Sequence, residues 1–194
     1  MLKLLHFALV MFVFISCQKD HEAPIVTENT LHYDGPNQNA PVLIRGISYP
    51  AIKFSPDFLG ARSLAGKLLE SVDFHLTDKP QHIKLLVFDW NADDERIPGD
   101  LIFQKDLQNL KRNSWNQYSF EDSIELSTRG IWIAFEIDTG DEDLRVIGCD
   151  PGPRVINGDI YGVFGGTNPG WIDFYEFSQQ DTNINWNIRL ELQP

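Results

Sequence analysis

Cys17 is the residue whose surroundings indicate a definite reaction. A basic residue, Lys3, is followed by an apolar run at residues 4–15, and Ser16 then precedes the cysteine. A bacterial lipoprotein signal has this order, because its peptidase needs a small residue before a cysteine whose thiol has received diacylglycerol. The pattern predicts cleavage after Ser16, so that Cys17 becomes the acylated first residue of the mature chain.

Two other interpretations of the N-terminus stay open. The first is a membrane-spanning helix, which needs about 20 apolar residues; the run is shorter and contains His6. The second is an ordinary secretory signal, which is the stronger alternative because Phe14 stands where the lipoprotein motif usually has Leu. In the lipoprotein interpretation, the acyl chains on Cys17 bind membrane lipid, and stable anchoring takes more than one chain.

The charge balance makes nucleic acid a poor partner. The chain of 194 residues has 16 Lys and Arg against 28 Asp and Glu, a formal net charge of −12. Such a surface repels phosphate backbones and anionic headgroups. We therefore expect no nucleic-acid partner. The length that remains after the signal is enough for a single domain with one hydrophobic core.

The chain divides into three predicted segments. Residues 1–16 form the signal peptide, and residues 41–194 form the folded domain. Residues 17–40 are polar, contain two prolines and show little periodicity, which predicts a tether with a short strand around Thr30 to Tyr33.

Alternation of apolar and polar residues dominates the folded domain. Many short strands, few helices and no regular alternation of strands with helices predict an all-β fold, an antiparallel, jelly-roll-like β-sandwich. One short helix is predicted near Pro56–Gly60, because Ser55 can cap it and Pro fits its first position. Strands are predicted at Leu68 to Leu76, Ile83 to Phe88, Leu101 to Lys105, Gln117 to Phe120, Gly130 to Ile137, Arg145 to Cys149, Asp159 to Phe164, Trp171 to Tyr175 and Ile184 to Leu192.

The same alternation assigns faces within the strands. Trp186 shares its predicted face with Ile184 and Ile188, and Phe135 shares its face with Ile133 and Ile137, so both rings are predicted to lie in the core. The opposite face of the strand that contains Phe135 carries Trp132, Ala134 and Glu136.

Signatures of catalysis are missing from the sequence, and no enzymatic activity is predicted. Cys149 is the only cysteine besides Cys17, and a lone cysteine is more often a small buried residue than a nucleophile. Ser48 follows Gly46 but lacks the second glycine of a nucleophile elbow. A pair of carboxylates for glycoside hydrolysis leaves no sequence signature, so a hydrolase with an unrecognised acidic site stays open.

Two acidic clusters could supply oxygen ligands to Ca²⁺, the one cofactor that the sequence suggests. The clusters are residues 93–95 and the set Asp138, Asp141, Glu142 and Asp143. Neither follows the EF-hand spacing, and the alternative is solvated hairpin loops, since turns favour Asp and Gly for backbone reasons. A further carboxylate, Asp150, lies between turn residues and is predicted to cap that turn or to bind Arg189.

Aromatic residues beside loops are the candidate binding site. Sugar rings have flat C–H faces that stack on Trp or Tyr, while amides and carboxylates bind sugar hydroxyls. The candidate ligand-binding residues are Trp171, Tyr175, Asn168, Asp173 and Trp90. The first four lie in or just after the glycine-rich stretch 165–170, and Trp90 precedes an acidic loop. The alternative is that both Trp residues cover the core, because large aromatic side chains are usually mostly buried.

Segments made mostly of core and turn residues carry a resemblance to a known group of domains. They are Phe54-Ser55-Pro56, Leu64-Ala65-Gly66-Lys67-Leu68, Asn113-Ser114-Trp115-Asn116, Ile131-Trp132-Ile133-Ala134-Phe135-Glu136, Gly148-Cys149-Asp150-Pro151-Gly152-Pro153 and Asn185-Trp186-Asn187-Ile188-Arg189. They resemble a β-sandwich domain of secreted and surface Bacteroidetes proteins, often an accessory module of peptidases or adhesins. The resemblance implies a fold and a surface location, and it implies no activity. Residues 17–22 also resemble the export signal that sends many Bacteroidetes lipoproteins to the outer face of the outer membrane.

Together these features predict a lipoprotein of the outer membrane that faces the cell exterior. Its acylated Cys17 would hold it to lipid, and its β-sandwich would bind a glycan or a surface protein. A structural subunit whose sandwich edge pairs with another protein is the alternative.

Overall fold

The protein is described here by a computed structural model that covers residues 25–27, 29–37, 44–164 and 170–194. Cys17 and Asn168 lie outside these residues. Within them the chain forms the following elements in order: β1 (Ile25–Val26), β2 (Thr30–His32), β3 (Ile47–Phe54), α1 (Pro56–Ala61), β4 (Leu68–Leu76), β5 (His82–Trp90), β6 (Pro98–Asp106), β7 (Ser114–Glu125), β8 (Ile131–Asp138), β9 (Cys149–Asp150), β10 (Ile160–Val163), β11 (Gly170–Asp173), α2 (Phe174–Phe177), β12 (Asn185–Trp186) and β13 (Ile188–Leu192).

The strands form an antiparallel β-sandwich, which confirms the predicted fold class. One sheet has five strands in the order β1-β2-β13-β4-β7, and the other has six in the order β11-β10-β3-β8-β5-β6. A short pair, β12-β9, accompanies them. The rings of Phe74 from the five-stranded sheet and Phe135 from the six-stranded sheet meet at 4.6 Å between centroids. The side chains that face each other therefore interdigitate in one core.

The predicted core residues lie where their alternation places them. Phe135 and Trp186 are both fully buried. The indole N–H of Trp186 donates a hydrogen bond of 2.9 Å to the backbone oxygen of Ile160. This contact satisfies the polar group that a buried tryptophan carries into the core.

The predicted helix is confirmed as α1, which begins at Pro56. Its cap, Ser55, accepts a hydrogen bond from the backbone N–H of Phe58 at 3.2 Å. The helix buries Leu59 against the sandwich. The helix therefore starts as the sequence predicts: Ser55 accepts from a free backbone N–H of the first turn, and Pro56 has no N–H that needs a partner.

The strand predicted from Trp171 to Tyr175 is wrong at its C-terminal end, because β11 ends at Asp173 and α2 follows. Asp159 provides the physical reason. Its backbone oxygen accepts from the N–H of Phe174 at 2.7 Å, and its carboxylate accepts from the N–H of Tyr175 at 3.1 Å. These acceptors satisfy the first N–H groups of a helical turn, so the chain leaves the sheet there.

A strand also occurs where none is predicted, at residues 47–54. This strand, β3, lies between β10 and β8 although it contains Pro50. Proline has no N–H to donate to the hydrogen-bond ladder of a sheet and is rare in central strands. A segment that contains proline is therefore not predicted as a central strand from its sequence.

Residues 29–37, which the sequence assigns to the tether, are part of the folded sandwich, and the short strand predicted around Thr30 to Tyr33 is confirmed as β2. Strand β2 pairs with β13, and Leu31 and Tyr33 are buried in the core. Asp34 is fully buried as well, and its carboxylate binds Arg189 of β13 at 2.8 Å, Asn187 at 2.7 Å and His32 at 3.0 Å. These contacts tie the N-terminal part of the sandwich to its C-terminal strand.

This buried carboxylate is expected to contribute strongly to stability. Burial alone would raise the pKa of Asp34, but hydrogen bonds from His32, Arg189 and Asn187 outweigh burial and hold the pKa below its usual value. Changing Asp34 to Asn keeps the shape but leaves Arg189 without its anion, so we expect a loss of about 3 kcal/mol at pH 7. Urea denaturation measures it.

The pH dependence of that loss follows from the lowered pKa. The stabilisation is complete above the pKa of an unfolded Asp, about 4, and disappears as the pH falls through the lower folded value. The difference between wild type and Asp34→Asn should therefore shrink below about pH 4. Asp122→Asn, at an exposed site on β7, is the matched control and should change stability little. A difference that stays constant down to pH 2 would contradict this assignment.

Candidate functional site

The outer face of the six-stranded sheet carries a cluster of aromatic side chains, here called the aromatic face. Its members are Tyr49, Phe88, Trp90, Trp132, Phe164 and Trp171. Strand register explains why they share a face. Trp132 of β8 is opposite Phe88 of β5 on one side and Lys53 of β3 on the other. Side chains that are opposite each other in neighbouring strands point the same way.

Trp171, a predicted binding residue, lies across this face. Its ring is 5.6 Å from the ring of Trp132 and 6.4 Å from that of Phe88, although its own strand β11 is at the far edge of the sheet. A Cβ atom on Gly162 would lie 3.0 Å from the indole of Trp171, so the glycine is needed for this close approach. Ala51 and Ala134 belong to the small apolar cluster on which Trp171 packs. The indole is half-buried and covers these small residues.

Trp90, the second predicted tryptophan, lies on the same face beside Lys53. The Lys53 Nζ atom is 4.7 Å from the ring centroid of Trp132 and 5.4 Å from that of Trp90. It donates a hydrogen bond of 2.5 Å to the backbone oxygen of Glu95. Burial lowers the pKa of Lys53, although nearby acidic groups oppose this. The ammonium group is thus held by two rings and a loop, an arrangement that cation–π attraction stabilises.

The accessible part of the aromatic face surrounds Phe164. This ring is 52% exposed, whereas Trp132 is fully buried beneath its neighbours. The Phe164 ring centroid is 5.0 Å from that of Tyr49 and 5.6 Å from that of Trp171. Asn168, predicted to act beside Trp171, falls between Phe164 and β11 and lies outside the described residues.

Hydrogen-bonding groups border these rings. Tyr49 donates its hydroxyl to Glu136 Oε2 at 3.1 Å, and Lys84 donates from Nζ to Glu136 Oε1 at 3.3 Å. The Lys84 ammonium is also 4.0 Å from the carboxylate of Asp106. Burial, with the negative charge of Glu136 beside it, raises the pKa of Tyr49 to about 12. The Tyr49 hydroxyl therefore stays protonated at neutral pH. Glu136 and Lys84 place a carboxylate and an ammonium group beside the rings.

Tyr175 and Asp173, also predicted to bind ligand, join an ion cluster around Arg154. The Arg154 guanidinium binds Asp173 and also Asp159, the latter at 2.8 Å, and its carbon is 5.4 Å from the ring centroid of Tyr175. Burial raises the pKa of Asp159 to about 6, and the charge of Arg154 opposes this. These contacts give Asp173 and Tyr175 structural partners within the fold.

The acidic residues predicted as Ca²⁺ ligands have separate partners. Asp138 accepts a hydrogen bond from the backbone N–H of Gly140 at 2.8 Å. Asp143 is 3.7 Å from Arg45, and Asp141 binds Arg45 through its backbone oxygen. In the part of the chain that the structure describes, no three His, Cys, Asp or Glu side chains converge to hold a metal ion.

Asp150 and Cys149, at the two positions of β9, have surroundings that favour a structural role over a catalytic one. The carboxylate of Asp150 accepts from the backbone N–H of Gly152 at 2.9 Å, which confirms the turn-cap prediction, while Arg189 binds Asp34 instead. Burial raises the pKa of the Cys149 thiol to about 12. A thiol with so high a pKa is protonated at neutral pH and is a poor nucleophile.

Three members of the aromatic face are not predicted as binding residues from the sequence: Tyr49, Phe88 and Phe164. The charged pair that borders the face, Glu136 and Lys84, is not predicted either. The alternation of side chains along a strand predicts part of this arrangement, because it places Glu136 and Trp132 on the same outward face of β8. The missing information is which strands become neighbours, since that decides which outward residues meet.

Comparisons of the chain with protein-family models, curated proteins and solved structures find no match. In the described residues, helices stay too short to cross a bilayer with an apolar segment. The class that the structure defines is an antiparallel β-sandwich.

Proposed function

We propose that the protein is a lipid-anchored protein of the cell surface that binds a glycan on the aromatic face. The observation that carries this proposal is the exposed ring of Phe164, which lies against Tyr49 and Trp171. Glu136 accepts hydrogen bonds from Tyr49 and from Lys84, so this charged pair lies beside the rings.

These two kinds of group match the two surfaces of a sugar. The C–H face of a sugar ring stacks on an aromatic ring, and its hydroxyls accept from an ammonium group and donate to a carboxylate. The side chains of Lys84 and Glu136 are 25% and 28% exposed, so a ligand can reach them. A neutral glycan also meets no electrostatic barrier from the net charge of −12, which would repel a polyanion.

Removing the Phe164 ring should weaken binding without weakening the fold. The protein from Ala23 onward, which keeps every described residue, is screened on a glycan array, and the best ligand is titrated by calorimetry. We expect Phe164→Ala to lower affinity at least tenfold, or about 1.4 kcal/mol. Its unfolding midpoint should move by only a degree or two, because half of the ring is already exposed to water.

Trp115→Ala is the matched control for this test. Trp115 is 37% exposed and belongs to β7 in the five-stranded sheet, so its loss should leave glycan affinity unchanged. An array without ligands would contradict glycan binding. A ligand whose affinity depends on Trp115 and not on Phe164 would contradict the choice of face.

A further inference from the structure

Three buried polar atoms without hydrogen-bond partners surround Gly148. They are Asn37 Oδ1, His75 Nδ1 and Asn187 Oδ1, and none has a partner among the described residues. A Cβ atom built on Gly148 would lie within 3.0 Å of all three. Because all three are that close to one point, no two of them are more than about 6 Å apart. Such clustering points to a shared guest, since buried polar groups are nearly always hydrogen-bonded.

The backbone around these atoms is fixed. Gly148 donates its N–H to the oxygen of His75 at 2.9 Å, Asn187 donates to the oxygen of Gly148 at 2.9 Å, and His75 donates to the oxygen of Asn187 at 3.1 Å. Side chains add to the rigidity, because Asn187 is fully buried and His75 is only 6% exposed. The three polar atoms are therefore held close together by the fold.

Hydrogen-bond counting defines what the guest must offer. Asn187 donates its Nδ2 group to Asp34 at 2.7 Å, so its Oδ1 atom is an acceptor. Asn37 Nδ2 and His75 Nε2 are 3.4 Å apart. If Asn37 donates to His75, then His75 Nδ1 carries the proton and Asn37 Oδ1 accepts. If the Asn37 amide is turned round, Asn37 offers an N–H and His75 Nδ1 accepts. Both arrangements present two acceptors and one donor.

We infer that these three atoms bind one buried water molecule. Water donates two hydrogen bonds and accepts a third, which satisfies every group in either arrangement, and buried waters typically make about three such bonds. A metal cation or an ammonium group would face an N–H in both arrangements, and an alcohol can donate only one bond. The water joins Asn37, which follows β2, to β4 and to the residue between β12 and β13.

A crystal structure of the protein at about 1.5 Å resolution tests the site directly. The expected result is a water peak about 2.7–3.2 Å from Asn37, His75 and Asn187. An ion at about 2.0–2.5 Å from these atoms would overturn the inference. So would side chains that close on each other and leave no peak.

A solution experiment with variants tests the same site independently. Magnetic relaxation dispersion of the water nuclei counts long-lived buried waters. Asn37→Ala opens the site from its half-buried side and should reduce that count by one, whereas Gln104→Ala, at an exposed site on β6, should leave it unchanged. Circular dichroism checks that each variant is folded. An unchanged count in folded Asn37→Ala would overturn the inference.

Discussion

Replacing Cys17 with Ala is expected to release the protein from membranes completely. Acyl chains contribute about 0.8 kcal/mol of membrane affinity for each buried CH₂ group, and Ala cannot receive them. The rest of the protein offers little compensation, because its net charge of −12 gives no attraction to anionic lipid. The anchor proposed at Cys17 would therefore be the main attachment to the bilayer.

Phase separation in a detergent such as Triton X-114 measures this release. Wild type should enter the detergent phase, and Cys17→Ala should stay in the aqueous phase. Cys149→Ala is the matched control, because that residue is buried in the core and should leave partitioning unchanged. Equal partitioning of wild type and Cys17→Ala would contradict the proposed anchor.

Truncating Trp186 to Ala should cost about 3–5 kcal/mol of stability, enough to unfold a marginal domain. The indole is fully buried and packs on Phe174 at 5.4 Å and on Tyr161 at 6.3 Å between centroids. Its loss leaves a large cavity and removes the hydrogen bond to the Ile160 oxygen. Both effects act in the same direction.

Chemical denaturation followed by circular dichroism measures the free energy of unfolding of the variant. Trp115→Ala is again the control, because its ring is 37% exposed and contacts Arg189 and His75 at the edge of the fold, so its loss should cost clearly less than that of the fully buried Trp186. Equal costs for the two tryptophans would contradict the assignment of Trp186 to the core.

The sequence predicts the strands and their faces well where alternation is strict. Strand β4 spans Leu68–Leu76 as predicted, and Phe135 of β8 points into the core as predicted. Such patterns are informative because one face of each strand must be buried. Alternation does not predict β3, which contains Pro50, or the turn into α2. In both places the hydrogen-bond partners of particular backbone groups decide the structure.

The aromatic face shows what a single sequence cannot provide. The candidate residues Trp171 and Trp90 lie in separate segments, and the structure brings both against Trp132. Trp171 can reach so far over the sheet because Gly162 and Ala134 leave room beneath it. Those small residues belong to different strands, so their joint effect depends on a strand order that local patterns do not specify.

The proposed binding of a glycan to the aromatic face is tested most directly by chemical-shift mapping with tryptophan indole N–H signals. The protein from Ala23 onward is labelled with ¹⁵N, and the Trp171 and Trp115 signals are assigned with Trp→Phe variants. On titration with the best ligand from the array, the Trp171 indole signal should shift in a saturable way, and that of Trp115, in the other sheet, should stay in place. A shift of Trp115 with no change at Trp171 would contradict the proposal.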